Sequence, residues 1–351
     1  MSLADGASKA AALRIPWRRA AGCVILLAGF PQMSLAAGTS VFSPASPPAD
    51  AIRNLFVLVL IVAGAIFLLV EGLLVYNLAR FRASKGDRGS EPTQVYGTGP
   101  LEFAWTIVPL LIVFVLFLVV VRTVVAVNEP QLPAYTTLVQ VVGHRWWWEF
   151  RYPRQDFRTA NEMHMPTGTA AHERPVQLDL YSADVVHSLW VPELAGKTDL
   201  VPGRTNHTWF ATDLPGVYPG QCAEYCGVQH AHMRLLVIAE PLEAFRAWAR
   251  HQAEPAVDEP AVAADRRRFM ALACINCHRI VGTLAQGTFG PDLTHVMSRR
   301  TLAAVTLKND PKDLRDWIRD PQAIKPGCLM PDMQLSERDV GQVARYLESL
   351  R

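Results

Sequence analysis

Two stretches of the chain are apolar almost without interruption. One runs from about 52 to 78, with no charged residue from Leu55 through Val70, and the other from about 101 to 125, uncharged from Phe103 through Val121. Either is long enough to cross a hydrocarbon core of roughly 30 Å as a helix. The loop between them carries Arg80, Arg82, Lys85 and Arg88 against Asp87 and Glu91. Basic loops stay in the cytoplasm, so both outer ends of the pair, and everything after Val125, are expected outside. Ahead of them, Lys9, Arg14, Arg18 and Arg19 precede an apolar run from Ala20 to Phe30 and a small-residue site at Ser34-Leu35-Ala36. This order predicts a secretory signal over residues 1–37. Glu71, inside the first apolar run, is costly in lipid unless it faces protein, and reads as a helix or subunit contact.

Past the second run the pattern shortens. Residues 138–142, 176–180 and 234–238 are β-branched or apolar runs separated by turns containing Pro and Gly, the pattern of a sandwich or small barrel. A helix is expected over 242–251, followed by a linker rich in Ala, Glu and Pro. From residue 263 the period becomes helical, with runs at 266–274, 313–319 and 336–350, the last opened by Ser336-Glu337-Arg338-Asp339 at capping-box spacing. The chain therefore reads as a membrane-anchored multidomain protein. Its parts are a signal (1–37), a two-helix transmembrane hairpin (38–128), an all-β domain (129–252), a linker (253–262) and an all-α domain (263–351).

Composition adds limits. With 351 residues, 50% of them hydrophobic, and a formal charge of +2, the chain has room for two soluble domains besides its membrane helices, and nothing points to nucleic acid. Its six cysteines could be disulfide candidates in an exported protein, but four of them sit in ligand-like company. Cys222-Ala223-Glu224-Tyr225-Cys226-Gly227-Val228-Gln229-His230-Ala231-His232-Met233 gathers two thiols, imidazole and a thioether, which are ligands suited to copper in electron transfer. A Cys222–Cys226 disulfide is the competing reading. His232 alternates with the candidate ligands and reads as a surface residue.

Cys274-Ile275-Asn276-Cys277-His278 is the C-x-x-C-H pattern for covalent haem, in which two thiols join the ring and the histidine reaches the iron. The competing dithiol redox motif expects a βαβ setting, which the helical tail does not offer. A second axial ligand is needed, and Met270, Met297, Met330 and Met333 are candidates. Gly143-His144-Arg145-Trp146-Trp147-Trp148-Glu149-Phe150 lies among the first strands, where aromatics such as Trp148 fill a core.

The stretch from Gly220 to Met233 resembles the binuclear copper centre of cytochrome c oxidase subunit II, whose pattern C-x-E-x-C-x-x-x-H-x-x-M is matched at every position. The resemblance implies a cupredoxin-like sandwich holding the CuA pair. Cys222 and Cys226 would bridge the coppers, His230 and Met233 bind from the loop, and Glu224 contribute its backbone carbonyl. Ser182-Ala183-Asp184-Val185-Val186-His187 resembles the family's upstream segment and nominates His187 as the second histidine. Two thiolates bridging two coppers share one electron across a rigid core, which suits fast transfer. The Glu224 carboxylate is implied in binding magnesium at the subunit interface. Trp146 aligns with the exposed family tryptophan through which electrons enter from cytochrome c. Glu102 matches a glutamate at the mouth of a proton-uptake channel, although a carboxylate also suits a helix N-terminus on its own.

The tail resembles a bacterial class I cytochrome c domain through its haem motif, Gly290-Pro291-Asp292-Leu293 and Lys325-Pro326-Gly327-Cys328-Leu329-Met330-Pro331. This implies axial ligation by His278 and Met330, with Met333 the runner-up, and Pro291 backing the His278 ring. Taken whole, the chain resembles subunit II of a caa-type haem-copper oxidase. The resemblance implies a relay that passes electrons from cytochrome c haem to CuA and on to a catalytic subunit that reduces dioxygen with proton pumping, without turnover of its own. Implied partners are the catalytic subunit I, subunit III and an external donor such as a cytochrome c or the preceding respiratory complex. The implied location is the bacterial cytoplasmic membrane, multi-pass, with both metal domains on the periplasmic side. A copper and haem subunit of a nitric oxide reductase-type complex is the alternative, because the catalytic partner decides the substrate.

Overall fold

The computed structural model describes residues 40–82, 94, 96–128, 133, 136–168, 174–257 and 259–351. The expected signal and most of the basic loop lie outside the described residues. The first helix, α1 (Pro47–Arg80), begins with proline in its first turn, where a missing N–H costs nothing. The second, α2 (Gly99–Asn128), carries Glu102 in its first turn, and the Glu102 carboxylate accepts a hydrogen bond from the Thr98 N–H at 3.0 Å. At 34 and 30 residues they exceed the expected spans at both ends. Their mid-portions expose apolar side chains, which fits lipid as the surrounding medium. Both outer ends are tied to the β domain. The Ala45 N–H donates to the Glu193 carbonyl at 2.8 Å, and the Trp209 indole to the Val127 carbonyl at 2.8 Å.

Ten strands form a sandwich: β1 (Thr137–His144), β2 (Trp147–Tyr152), β3 (Phe157–Ala160), β4 (Glu162–Pro166), β5 (Val176–Ser182), β6 (His187–Trp190), β7 (Thr198–Leu200), β8 (Asn206–Phe210), β9 (Gly216–Cys222) and β10 (Arg234–Glu240). One sheet has the order β3-β2-β1-β5-β8 and the other β4-β10-β9-β6-β7. Period-two alternation decides the inner face: Val176, Leu178 and Leu180 of β5 are fully buried, while Gln177 and Asp179 point outward. Trp148 and Phe150 are fully buried beside them, as the aromatic run predicts. Helix α3 (Leu242–Gln252) closes the domain by laying Phe245 and Ala249 on the core.

The tail folds around α4 (Ala263–Met270), α5 (Cys274–Cys277), α6 (Pro311–Arg319), α7 (Pro321–Ile324) and α8 (Glu337–Glu348). Cap chemistry sets the boundaries: the side chains of Asp310, Asp320 and Ser336 accept from backbone N–H groups of the helices that follow them. The run expected at 266–274 divides at Ala271–Ala273, so that the cysteine motif starts its own short turn. Phe269 of α4 meets Tyr346 of α8 at 5.3 Å between ring centroids. Forked Arg268–Asp339 and Arg345–Asp265 pairs flank that contact, with N–O distances of 2.7–2.9 Å.

Candidate functional site

Strand register assembles the first cluster. In the second sheet β9 lies between β10 and β6, and alternation along β9 turns Tyr218, Gly220 and Cys222 inward. Arg234 of β10 pairs with Gln221 and Leu189 of β6 with Cys222. The Cys222 N–H donates to the Met233 carbonyl at 3.0 Å, and the Ala223 N–H to the Ser188 carbonyl at 2.9 Å. One strand end therefore gathers His187, Cys222 and Met233 from three neighbouring strands. The loop 223–232 adds Cys226 and His230.

The two sulfurs lie 3.8 Å apart, well beyond the roughly 2.05 Å of a disulfide. His187 Nδ1 is 4.0 Å from Cys222 Sγ, His230 Nδ1 is 3.7 Å from Cys226 Sγ, and Met233 Sδ is 3.8 Å from Cys226 Sγ. The Glu224 main-chain oxygen stands 3.1 Å from Cys222 Sγ, while its carboxylate belongs to an exposed residue on the outside of the loop. Asp184, which sequence reasoning passed over although it stands three residues before His187, binds His187 Nε2 at 2.8 Å. Nδ1 is thereby left to face the sulfurs as a ligand. Asp184 also accepts from the Arg145 and Val185 N–H groups at 2.7 Å each.

The thiol pair is strongly polarised. The hydrogen bond from Cys226, assisted by His187, pulls the Cys222 thiol down, whereas the same proximity and burial push Cys226 up. Burial opposes a charged His187 ring, but the Asp184 carboxylate and the Cys222 sulfur outweigh it and raise its pKa. A site that stabilises thiolate beside oriented imidazole and thioether suits a soft metal such as copper.

The second cluster surrounds a largely apolar cavity of about 320 Å³, walled mostly by the tail and on one side by the β1–β2 turn of the sandwich. Cys274, Cys277, His278, Met330 and Met333 all line it, together with Leu302, Leu314 and Ile318. The His278 Nδ1–H donates to the Pro291 carbonyl at 2.8 Å, and burial holds the ring's pKa down. His278 is thus neutral, with Nε2 free to reach iron. A side chain on Gly290 would stand 2.7 Å from His278 Cε1, so only glycine lets the ring sit there. Gln322 anchors the methionine loop. It donates to the Cys328 and Met330 carbonyls at 2.9 and 2.7 Å and accepts from the Gly327 N–H at 2.9 Å. Two thiols, a neutral imidazole and a thioether around an apolar cavity fit a covalently held haem.

The two clusters meet at Trp146, in the turn between β1 and β2. Its indole N–H donates to the Cys226 carbonyl at 2.9 Å, and the residue also lines the cavity. Gly227, at φ +119, lets the ring lie flat on the copper loop, since a side chain there would stand 2.9 Å from Trp146 Cζ2. The family tryptophan with which Trp146 aligns is exposed, whereas Trp146 is 8% accessible, because the tethered helical domain packs over this turn. His232 is half-buried rather than a plain surface residue, bonded through Nδ1 to Gln229 Oε1 at 2.7 Å.

The chain matches the family models for the transmembrane domain (residues 34–122) and the periplasmic domain (residues 137–240) of cytochrome c oxidase subunit II, and the model for cytochrome c (residues 263–351). It is 34% identical to a cytochrome c oxidase subunit 2 of Alkalihalophilus pseudofirmus over 89% of this chain and 91% of that one. A cytochrome c oxidase subunit 2 of Bacillus sp. strain PS3 is 32% identical over 77% of this chain and 80% of its own. The solved periplasmic domain of subunit II of cytochrome oxidase from Bradyrhizobium japonicum is 27% identical, covering 34% of this chain and 95% of that chain with a TM-score of 0.32. With hairpin, sandwich and haem-binding tail in one chain, the protein belongs to the cytochrome c oxidase subunit II family and carries the fused cytochrome c domain.

Proposed function

We propose that this chain is the electron-accepting subunit of a terminal cytochrome c oxidase, taking electrons into its cytochrome domain and passing them through the copper site to a catalytic subunit that reduces dioxygen. The observation that carries this reading is Trp146, which lines the cavity of one domain while its indole holds the Cys226 carbonyl of the other at 2.9 Å. Bound haem and binuclear copper supply the one-electron carriers. The chain's residues hold and orient them. Cys274 and Cys277 would attach the haem, with His278 and Met330 as axial ligands. His187, Cys222, Cys226, His230, Met233 and the Glu224 carbonyl would hold the copper pair. Gln322 supports Met330 as the axial ligand over Met333, because it clamps the backbone of that loop segment.

The names of the relatives favour the oxidase over the nitric oxide reductase-type alternative. On the copper loop, Tyr225 is 75% exposed beside the Glu224 carboxylate. This face suits the catalytic subunit, with Glu224 offering a magnesium ligand at that contact. Subunit III is expected in the same complex. The two helices would pass through the bacterial cytoplasmic membrane with both metal domains in the periplasm, and Glu102 would then stand at the inner mouth of a proton path in the catalytic subunit.

The test is Trp146→Phe in the assembled oxidase. The copper and haem spectra should remain, while electron transfer between the two centres slows by roughly tenfold or more. Unchanged kinetics would remove Trp146 from the path.

A further inference from the structure

The face between the copper and haem domains holds two buried charges, one from each side. Glu162 opens β4 of the copper domain and is 1% accessible. Among the described residues its carboxylate accepts from the haem domain alone: the Arg300 N–H at 2.9 and 3.0 Å, the Thr301 N–H at 2.8 Å and the Thr301 hydroxyl at 2.6 Å. Lys325 of the haem domain is 3% accessible. Its ammonium donates to the Trp146 and His232 carbonyls of the copper domain at 2.8 and 2.9 Å, and to its own domain's Ala303 carbonyl at 3.4 Å.

The physical consequence concerns register more than strength. The desolvation of a buried ion is recovered only where its hydrogen bonds are complete, so such a contact adds little net affinity. Sliding or rotating the haem domain by a few ångströms would strand a carboxylate and an ammonium without partners, which is strongly unfavourable. Undocking returns both to water. The intermediate placements are therefore penalised, and one docked arrangement is selected. Lys325 fixes that arrangement at the main chain of Trp146 itself.

We propose that Glu162 and Lys325 form a two-point clasp that holds the haem domain in a single register over the Trp146 turn. They are positioning residues, and the docked state they select is the working state of the relay. A soluble donor then delivers its electron to the haem domain and does not reach Trp146. The proposal rests on the electron-transfer reading above.

The test uses the full chain in its assembled oxidase. Amide exchange at Arg300 and Thr301, which needs no metal chemistry to read, should be slow in the wild type and at least tenfold faster in Glu162→Ala and Lys325→Met. After flash reduction of the haem, in which its iron gains one electron from an added photoreductant, that electron should leave the iron and be gained by the copper pair in a single fast phase in the wild type. The variants should add a slower, viscosity-dependent phase while both metal spectra are kept, and Glu162→Gln, which retains one acceptor, should fall between. Thr301→Val probes the same contact from the other domain should Glu162→Ala assemble poorly, and it should also speed exchange at Arg300. Unchanged exchange and an unchanged single phase in the variants would overturn the clasp, as would a viscosity-dependent phase in the wild type. A wild type that passes no electron between the centres would instead overturn the electron-transfer reading itself.

Discussion

The copper cluster and the haem cavity solve the problem of holding a metal in opposite ways. At the end of β9 each candidate ligand atom of His187, His230 and Met233 already lies within 4.0 Å of a cysteine sulfur, held by strand register, and Cys222, Cys226 and Met233 are themselves packed into the sandwich core. At the haem motif the candidate ligands stand around about 320 Å³ of largely apolar space, one wall of which is the helical core itself through Leu314, Ile318 and Leu347. A small ion can be received by a preformed cluster at the edge of a folded domain. A large planar group has to be part of the core.

The sharpest way to break this comparison is to withhold each group in turn. Without haem the apolar side chains around this space, among them Leu302, Leu314 and Ile318, would face water, which weighs against the folded tail. The chain produced without haem attachment, as Cys274→Ser/Cys277→Ser, should lose the helical signal and cooperative unfolding of residues 263–351. The copper domain should keep its circular dichroism and its unfolding midpoint within a few degrees when copper is withheld. Equal behaviour of the two domains would end the contrast.

A smaller effect probes the copper domain's own electrostatic support. Burial by itself would raise the Glu149 pKa, but His144, Arg151 and Arg158 overcome it and bring it down to about 2 from 4.5. With the folded value depressed, the stabilisation is fully present above about pH 4.5 and is lost as pH falls toward 2. The shift corresponds to about 3 kcal/mol. Urea unfolding of the copper domain should lose that much stability between pH 5 and 2, and Glu149→Gln should flatten the profile in this window. A wild-type profile already flat there would show that the cluster contributes nothing.

The smallest effect concerns ligand orientation. Asp184→Asn should lower copper affinity by about 10–100-fold, because His187 loses the carboxylate that fixes its ring and raises its basicity. Competition with a copper chelator measures this. Because Asp184 also holds the Arg145 N–H and lines the haem cavity, the haem spectrum is not the control; the unfolding midpoint of residues 263–351 should be unchanged, and an equal loss there would mean that the two sites are not independently built.

Much of this molecule was open to reading one residue at a time. The apolar helices, the short β runs and the capped final helix follow from local pattern, and the structure extends the expected strands by only one or two residues at an end. The cysteine motifs stood out because metal chemistry demands particular donors at short spacing, and both cluster within a few turns of chain. Asp184 carried a weaker signal, a carboxylate three residues before a ligand histidine. Glu162 carried none, since a lone glutamate at a strand start is ordinarily exposed.

What the sequence by itself determined is therefore the parts: which segments lie in lipid, which fold as sandwich or helices, and which donors each metal site offers. Only the tertiary structure decided how the parts face one another. Glu162 and Thr301 are 139 residues apart, and Lys325 and Trp146 are 179 apart. No periodicity or spacing links such positions. The burial of Trp146 arises only when two separately legible domains pack together, because the burial of a side chain depends on everything folded around it.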